Sequence, residues 1–189
     1  MPESHGSSST RQAIMPPECQ LIAGQSSMVR LPPSSNVPLT DRVRRILDTP
    51  SMRRLAGISQ LGMVHLVYPG ARHSRLEHTL GVYDNAVRWL HLFWPTLCDL
   101  GSDADTAKRD ADSLLLAALV HDMGHWPFCH PIEDMQLESM PRHVDRLDEI
   151  LDPSTGDRGL VQCIEQDWKC QVVDVLALLK GEGVDSSSP

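Results

Sequence analysis

Histidine and aspartate are the residues in this sequence best suited to chemistry. Seven of the nine histidines lie between positions 73 and 143, and four fall between 121 and 143. The densest stretch is His121-Asp-Met-Gly-His-Trp-Pro-Phe-Cys-His130. Imidazole and carboxylate together suit Mn, Fe or Zn ions, and the absence of paired cysteines argues against a closed structural zinc site. The spacing therefore points to an open, catalytic metal site. His121 and Asp122 are adjacent, so on a helix their side chains diverge by roughly 100 degrees. They can share an ion only at a helix end or against a second element. His78 is the candidate from such an element, completing a His, His, Asp set whose open positions would take water and a phosphate oxygen. A lone buried His-Asp pair is more often a core hydrogen bond; the surrounding histidines and Gly124 reverse that weighting.

His125 and His130 lie just beyond, where an imidazole titrating near neutral pH could give a proton or contact phosphate. Arg75 precedes His78 by three residues and shares its helical face, aiming a guanidinium toward a bound phosphate, although an exposed first-turn arginine is commonplace. Cys129 reads as a small filler, Met123 and Trp126 as packing, and Arg42, Arg44 and Arg45 as a solvated helix face.

These residues need rigid supports. Ser74-Arg-Leu-Glu77 has capping-box spacing, followed at helical intervals by Leu76, Leu80, Tyr83, Val87, Leu90 and Trp94, which predicts a helix of about five turns. A second helix is predicted from near Asp105 to Met123, buried along Leu114 to Val120 and ended at Gly124, so that His121 and Asp122 occupy its last turn. Thr40 caps a short helix with Val43, Ile46 and Leu47, and Pro50 starts another through Ile58. Gly62 and Pro69-Gly70 bracket a connection whose Val64 to Tyr68 stretch reads as extended. Further helices are predicted near 133 to 151, 159 to 167 and 169 to 180. The fold class is all-α, a helical bundle over 39 to 181, with a disordered, Ser- and Pro-rich arm at 1 to 38 and a flexible tail at 182 to 189.

The formal charge of -8 argues against specific nucleic-acid binding or an anionic membrane surface, either of which needs a basic face. Five cysteines form no C-x-x-C pair and suit no disulfide framework, which predicts a reducing, cytoplasmic setting. No segment has the roughly 18 apolar residues of a membrane span.

Three ordered blocks, Ser59-Gln-Leu-Gly62, Val67-Tyr-Pro-Gly-Ala-Arg-His-Ser-Arg-Leu-Glu-His78-Thr-Leu-Gly-Val82 and His121 to His130, resemble the HD-domain phosphohydrolases. The likeness is to the group containing the deoxynucleoside triphosphate triphosphohydrolases and covers roughly residues 40 to 150. It implies an HD-domain helical bundle in which His78, His121 and Asp122 ligate a divalent ion (Mn, Fe, Mg or Zn). It also implies that His125 and His130 assist phosphate cleavage, Arg75 contacts substrate, and Gln60 and Leu61 line a sugar pocket. His143 resembles a later active-site histidine usually followed by Glu, where this chain has Val144. Members release triphosphate from a dNTP by water attack at the α-phosphorus, so the implied substrate is a nucleotide or related small phosphate ester. The family's fourth ligand is an Asp within Asp-Lys-x-Asp-Tyr. Here the nearest candidate is Asp185, in Leu179-Lys-Gly-Glu-Gly-Val-Asp185, and relatives run longer, as if this were an N-terminal portion. The usual Asp-Pro-x-His-Gly stretch is missing, which argues against nucleotide-triggered assembly. The competing expectation is a degenerate module that binds metal or nucleotide as a sensor or interaction domain. A second copy of the chain is a further candidate partner, because a helical domain without its partner segments exposes apolar surface.

Overall fold

The computed structural model describes residues 15–22, 27–32, 35–100, 104–137 and 139–181. The elements run α1 (Pro17–Leu21), β1 (Met28–Leu31), β2 (Ser35–Pro38), α2 (Asp41–Leu47), α3 (Pro50–Leu55), α4 (Arg75–Leu100), α5 (Ala104–Val120), α6 (Cys129–Asp134), α7 (His143–Ile150), α8 (Arg158–Gln162) and α9 (Val172–Lys180). A 3-10 turn, Val64–Leu66, precedes α4, and α8 continues into a π turn, Cys163–Asp167. The architecture is the all-α bundle expected, with one small antiparallel hairpin in which Met28 pairs with Pro38 and Leu31 with Ser35.

The packing follows the apolar periodicity. Leu80, Tyr83, Val87, Leu90 and Trp94 form the buried stripe of α4 and meet Leu115, Leu116, Leu119 and Val120 of α5. Helix α9, with Val172 and Val175 buried, packs on α5 and α7. Burying this much aliphatic and aromatic area supplies the main driving force of the fold. It also fixes the two helices that carry His78 and lead into His121. Helix α4 runs on through Pro95, beyond the five turns expected, because one missing backbone donor does not outweigh the packing on either side.

Several expectations are corrected. The arm at 1 to 38 is not wholly without structure: α1 and the hairpin occupy much of 15 to 38, while residues 1–14 lie outside the described residues, as does the 182–189 tail. No apolar period announced this order: the segment is held by scattered core residues, Met15, Cys19 and Val37, together with a buried charge cluster. Glu18 is fully buried and accepts from Thr40 Oγ1 at 2.6 Å and from Arg42 Nε at 2.7 Å. Arg42 reaches on to Asp112 Oδ1 at 2.8 Å and lies 3.8 Å over the Trp168 ring, while Lys108 pairs with the same aspartate. Arg42 is therefore not a solvated residue, although Arg44 and Arg45 are exposed. Val64 to Tyr68 is not extended, since local bonds such as Leu66 N to Met63 O and Tyr68 N to Val64 O close a turn. The helix expected over 133 to 151 is split by Gln136, at φ 49°, and by the Pro141 segment that leads into α7.

Among the described residues no helix is long and apolar enough to cross a membrane. Among the described residues Cys19, Cys163 and Cys170 are free thiols, and burial pushes that of Cys19 up to about 12.

Candidate metal centre

The predicted capping box forms and sets the start of α4. Ser74 N donates to Glu77 Oε2 at 2.7 Å, and Glu77 N returns a bond to Ser74 Oγ at 3.2 Å. The same end of α4 is tied to the 58–60 segment, because Arg75 N donates to Ile58 O at 2.8 Å and Gln60 N to His73 O at 3.0 Å. One turn later His78 projects toward His121.

Helix α5 ends at Val120, three residues before the expected Met123, so His121 and Asp122 sit in the turn that follows it. Tight bonds from Met123 N to Val120 O and from His125 N to Asp122 O wind that turn. This lets the adjacent side chains of His121 and Asp122 turn to one side, as they would not on a regular helix. The ligand atoms of His78, His121 and Asp122 all lie within 4.8 Å of one another, and the two imidazoles meet edge to face with centroids 5.5 Å apart.

The donor chemistry fits a cation. His121 Nδ1 stands 2.9 Å from the Ala118 carbonyl and must donate to it, so in the neutral ring Nε2 is an acceptor. That Nε2 faces Asp122 Oδ1 at 3.3 Å. Two acceptors at this separation repel unless positive charge stands between them. His121 keeps about a quarter of its side-chain surface exposed, so the centre opens to solvent on that side.

Asp122 is buried and shared. Its Oδ2 accepts from Arg75 NH1 at 3.0 Å, and its Oδ1 also lies 3.4 Å from His125 Nδ1. Arg75, expected on the surface or at a phosphate, is only 2% exposed, and its Nε has no hydrogen-bond partner among the described residues. Gln60 is half-buried beside the start of α4, with Oε1 buried and unbonded, whereas Leu61 is exposed. Asp185 and the side chain of His130 lie outside the described residues; the backbone of His130 belongs to α6.

Three side chains that sequence reasoning missed build the rest. Glu133 of α6 accepts from His143 Nδ1 at 2.9 Å and from His143 N at 2.7 Å, so the carboxylate beside His143 comes from ten residues upstream rather than from position 144. Arg54 NH2 donates to the carbonyls of Met123 at 2.6 Å and His125 at 2.8 Å. Arg146 NH1 donates to Gly124 O at 2.9 Å. No periodicity or motif marks such residues, because what they bind is backbone brought near by folding. His125 and His143 consequently stack, with centroids 3.9 Å apart at 30°. Gly124, expected to end α5, lies instead in the turn beyond Val120, where the helix stops. It is needed because a Cβ there would lie 1.8 Å from the His143 carbonyl oxygen.

Burial holds the His78 pKa below its ordinary value, opposed by the Asp122 charge. A histidine depressed in the folded state takes its proton more readily when unfolded. Its contribution is therefore intact above the unfolded value of about 6.5 and is lost as pH falls through that value toward the folded one. The metal-free protein should lose urea stability between roughly pH 7.5 and 5 with a steeper slope than its His78→Ala variant. Parallel slopes would contradict this.

Comparison with known proteins adds a family and relatives. The family model described as HD domain matches residues 75–179. The chain is 39% identical over 170 residues to deoxynucleoside triphosphate triphosphohydrolase SAMHD1 of Xenopus laevis, an alignment covering 86% of this chain and 26% of that protein. With the Homo sapiens protein of the same name it shares 35% identity over 111 residues, 59% of this chain and 17% of the relative. With the HD domain-containing protein L394 of Acanthamoeba polyphaga mimivirus it shares 26% over 163 residues, 66% and 35% of the two lengths. The matched parts thus span between 17% and 35% of these relatives.

Proposed function

Since the chain belongs to the HD domain family, we propose that it is a metal-dependent phosphohydrolase acting on a nucleotide or a related small phosphate ester, as the names of its triphosphohydrolase relatives suggest. The observation that carries this reading is the pair of acceptors, His121 Nε2 and Asp122 Oδ1, facing each other at 3.3 Å beside His78. His78, His121 and Asp122 would hold a divalent ion, Mn, Fe, Mg or Zn, with Asp185 as a further candidate ligand. When bound, the ion supplies Lewis acidity toward water and a phosphate oxygen.

The chain's own residues do the remaining work. Glu133 fixes His143 with Nδ1 protonated, leaving Nε2 as the acceptor that can take a proton or hand one on. His125, stacked on His143 and beside Asp122, is the second proton-handling group, and His130 is a third candidate. Arg75 orients Asp122 and brings a positive charge to the phosphate side, while Gln60 and Leu61 are candidates for the sugar. A binding-only reading draws on one observation: Arg75 is buried against Asp122 and already neutralises it.

The test is direct. The purified chain, loaded in turn with Mn, Fe, Mg or Zn, is assayed against dNTPs, NTPs and nucleoside monophosphates, and released phosphate or triphosphate is identified. Metal-dependent turnover that disappears in His121→Ala supports the enzyme. Stoichiometric metal uptake without turnover supports the binding module, and neither uptake nor turnover overturns both.

A further inference from the structure

The proton-handling pair is not held by its own side-chain bonds alone. Helix α7 presents His143 and, three residues later on the same face, Arg146. The guanidinium of Arg146 donates to Gly124 O at 2.9 Å and lies 3.6 Å over the Trp126 ring. Trp126 Nε1 in turn donates to Pro141 O at 3.4 Å, in the segment that leads into α7. The residues Arg146 grips, Gly124 and Trp126, flank His125, and the backbone of Gly124 already touches that of His143. Arg146 thus closes a ring of contacts from α7 to the turn that follows the ligands and back.

We propose that Arg146, through Trp126 and the Gly124 carbonyl, holds α7 against residues 124–126 so that His143 stays stacked on His125. It is a positioning residue for the reaction, not a group that touches substrate. Only the planar guanidinium can donate along its edge while stacking through its face; an ammonium can do the first but not the second. The kinetic consequence rests on the phosphohydrolase reading above, whereas the structural consequence does not.

Arg146→Ala, and Arg146→Met as a variant that keeps apolar cover on Trp126, are compared with wild type in the full chain. Two readouts need no turnover. The imidazole C–H chemical shifts of His125 and His143, set in part by the ring current of the stacked neighbour, should move in both variants. Uptake of Zn or Mn alone should stay at the wild-type stoichiometry, because no ligand has been touched. Where turnover is measured, kcat should fall between about 10- and 100-fold, with KM within about twofold, as a small misplacement of proton-handling groups predicts.

Unchanged imidazole shifts in a folded variant overturn the inference, as does loss of metal uptake in parallel with kcat, which would make Arg146 a support of the whole centre. An Arg146→Ala chain that fails to fold leaves the decision to Arg146→Met. If wild type binds metal but turns over nothing, the phosphohydrolase reading fails. The shifts then still decide whether Arg146 positions the pair.

Discussion

Asp122→Ala is expected to abolish metal uptake, to lower any turnover by at least about 100-fold, and to destabilise the protein by about 3–5 kcal/mol. The two losses have different origins. Oδ1 faces His121 Nε2 at 3.3 Å, so its removal takes away the only anionic member of the ligand set among the described residues. Oδ2 holds Arg75 NH1 at 3.0 Å, and truncation leaves a guanidinium 2% exposed with no counter-charge and with its Nε already unpaired. Asp122→Asn separates the effects. It keeps an oxygen for Arg75 and so loses less stability, but it offers the cation no charge. The double variant Asp122→Ala with Arg75→Met should recover most of the stability and none of the metal uptake, because removing both members of a buried pair costs far less than removing one. Denaturant midpoints and metal-to-protein ratios measure these outcomes. A double variant no more stable than Asp122→Ala would show that the Arg75 contact is not where the stability lies.

Gly124→Ala is expected to act without removing any candidate ligand. The added methyl would sit 1.8 Å from the His143 carbonyl oxygen and 2.8 Å from its carbon, and both atoms are backbone. No rotamer change relieves that overlap, so α7 has to retreat by about 1 Å or more, carrying His143 away from His125. The expected cost is about 1–3 kcal/mol, with a fall in turnover of the order of 100-fold. Gly81→Ala is the control. That glycine lies inside α4 with nothing within 4 Å of an added Cβ, so the substitution should raise stability by roughly 0.5–1 kcal/mol. Equal destabilisation of both variants would indicate a general intolerance of alanine rather than the particular contact between Gly124 and His143.

The clustering of His78, His121 and Asp122 was legible because its parts obey local rules. The Ser74 capping box fixes where α4 begins, and with it the position of His78, from four consecutive residues. The apolar run through Val120 likewise places His121 and Asp122 at the end of a buried helix. What the periodicity could not show is that the helix stops at Val120, and that stop is what lets the adjacent side chains of His121 and Asp122 converge. Arg75 shows a second limit. Helical spacing put it on the face of His78, but only tertiary packing decides that it turns to Asp122 and becomes buried. Arg54, Glu133 and Arg146 were illegible for a third reason: they act on backbone carbonyls and on an imidazole from other segments, and such contacts impose no pattern on neighbouring residues. The order within 15 to 38 was hidden in the same way, since the run Arg42, Arg44 and Arg45 reads as a solvated helix face and nothing nearby in sequence marks Glu18 as the partner of Arg42.

The cluster that joins Glu18, Arg42 and Asp112 has a consequence for how the chain is made. Arg42 follows Glu18 by 24 residues, but Asp112 follows Arg42 by 70. At translation speeds of about 5–20 residues per second, Arg42 leaves the ribosome roughly 4 to 14 seconds before its second carboxylate. Leu80 follows Arg42 by 38 residues, so over the last 32 residues of that interval, roughly 2 to 6 seconds, the emerging α4 has no α5 to cover Leu80, Tyr83, Val87, Leu90 and Trp94. The nascent chain then presents an uncovered apolar stripe to chaperones and proteases, and its N-terminal segment can be locked only when α5 arrives.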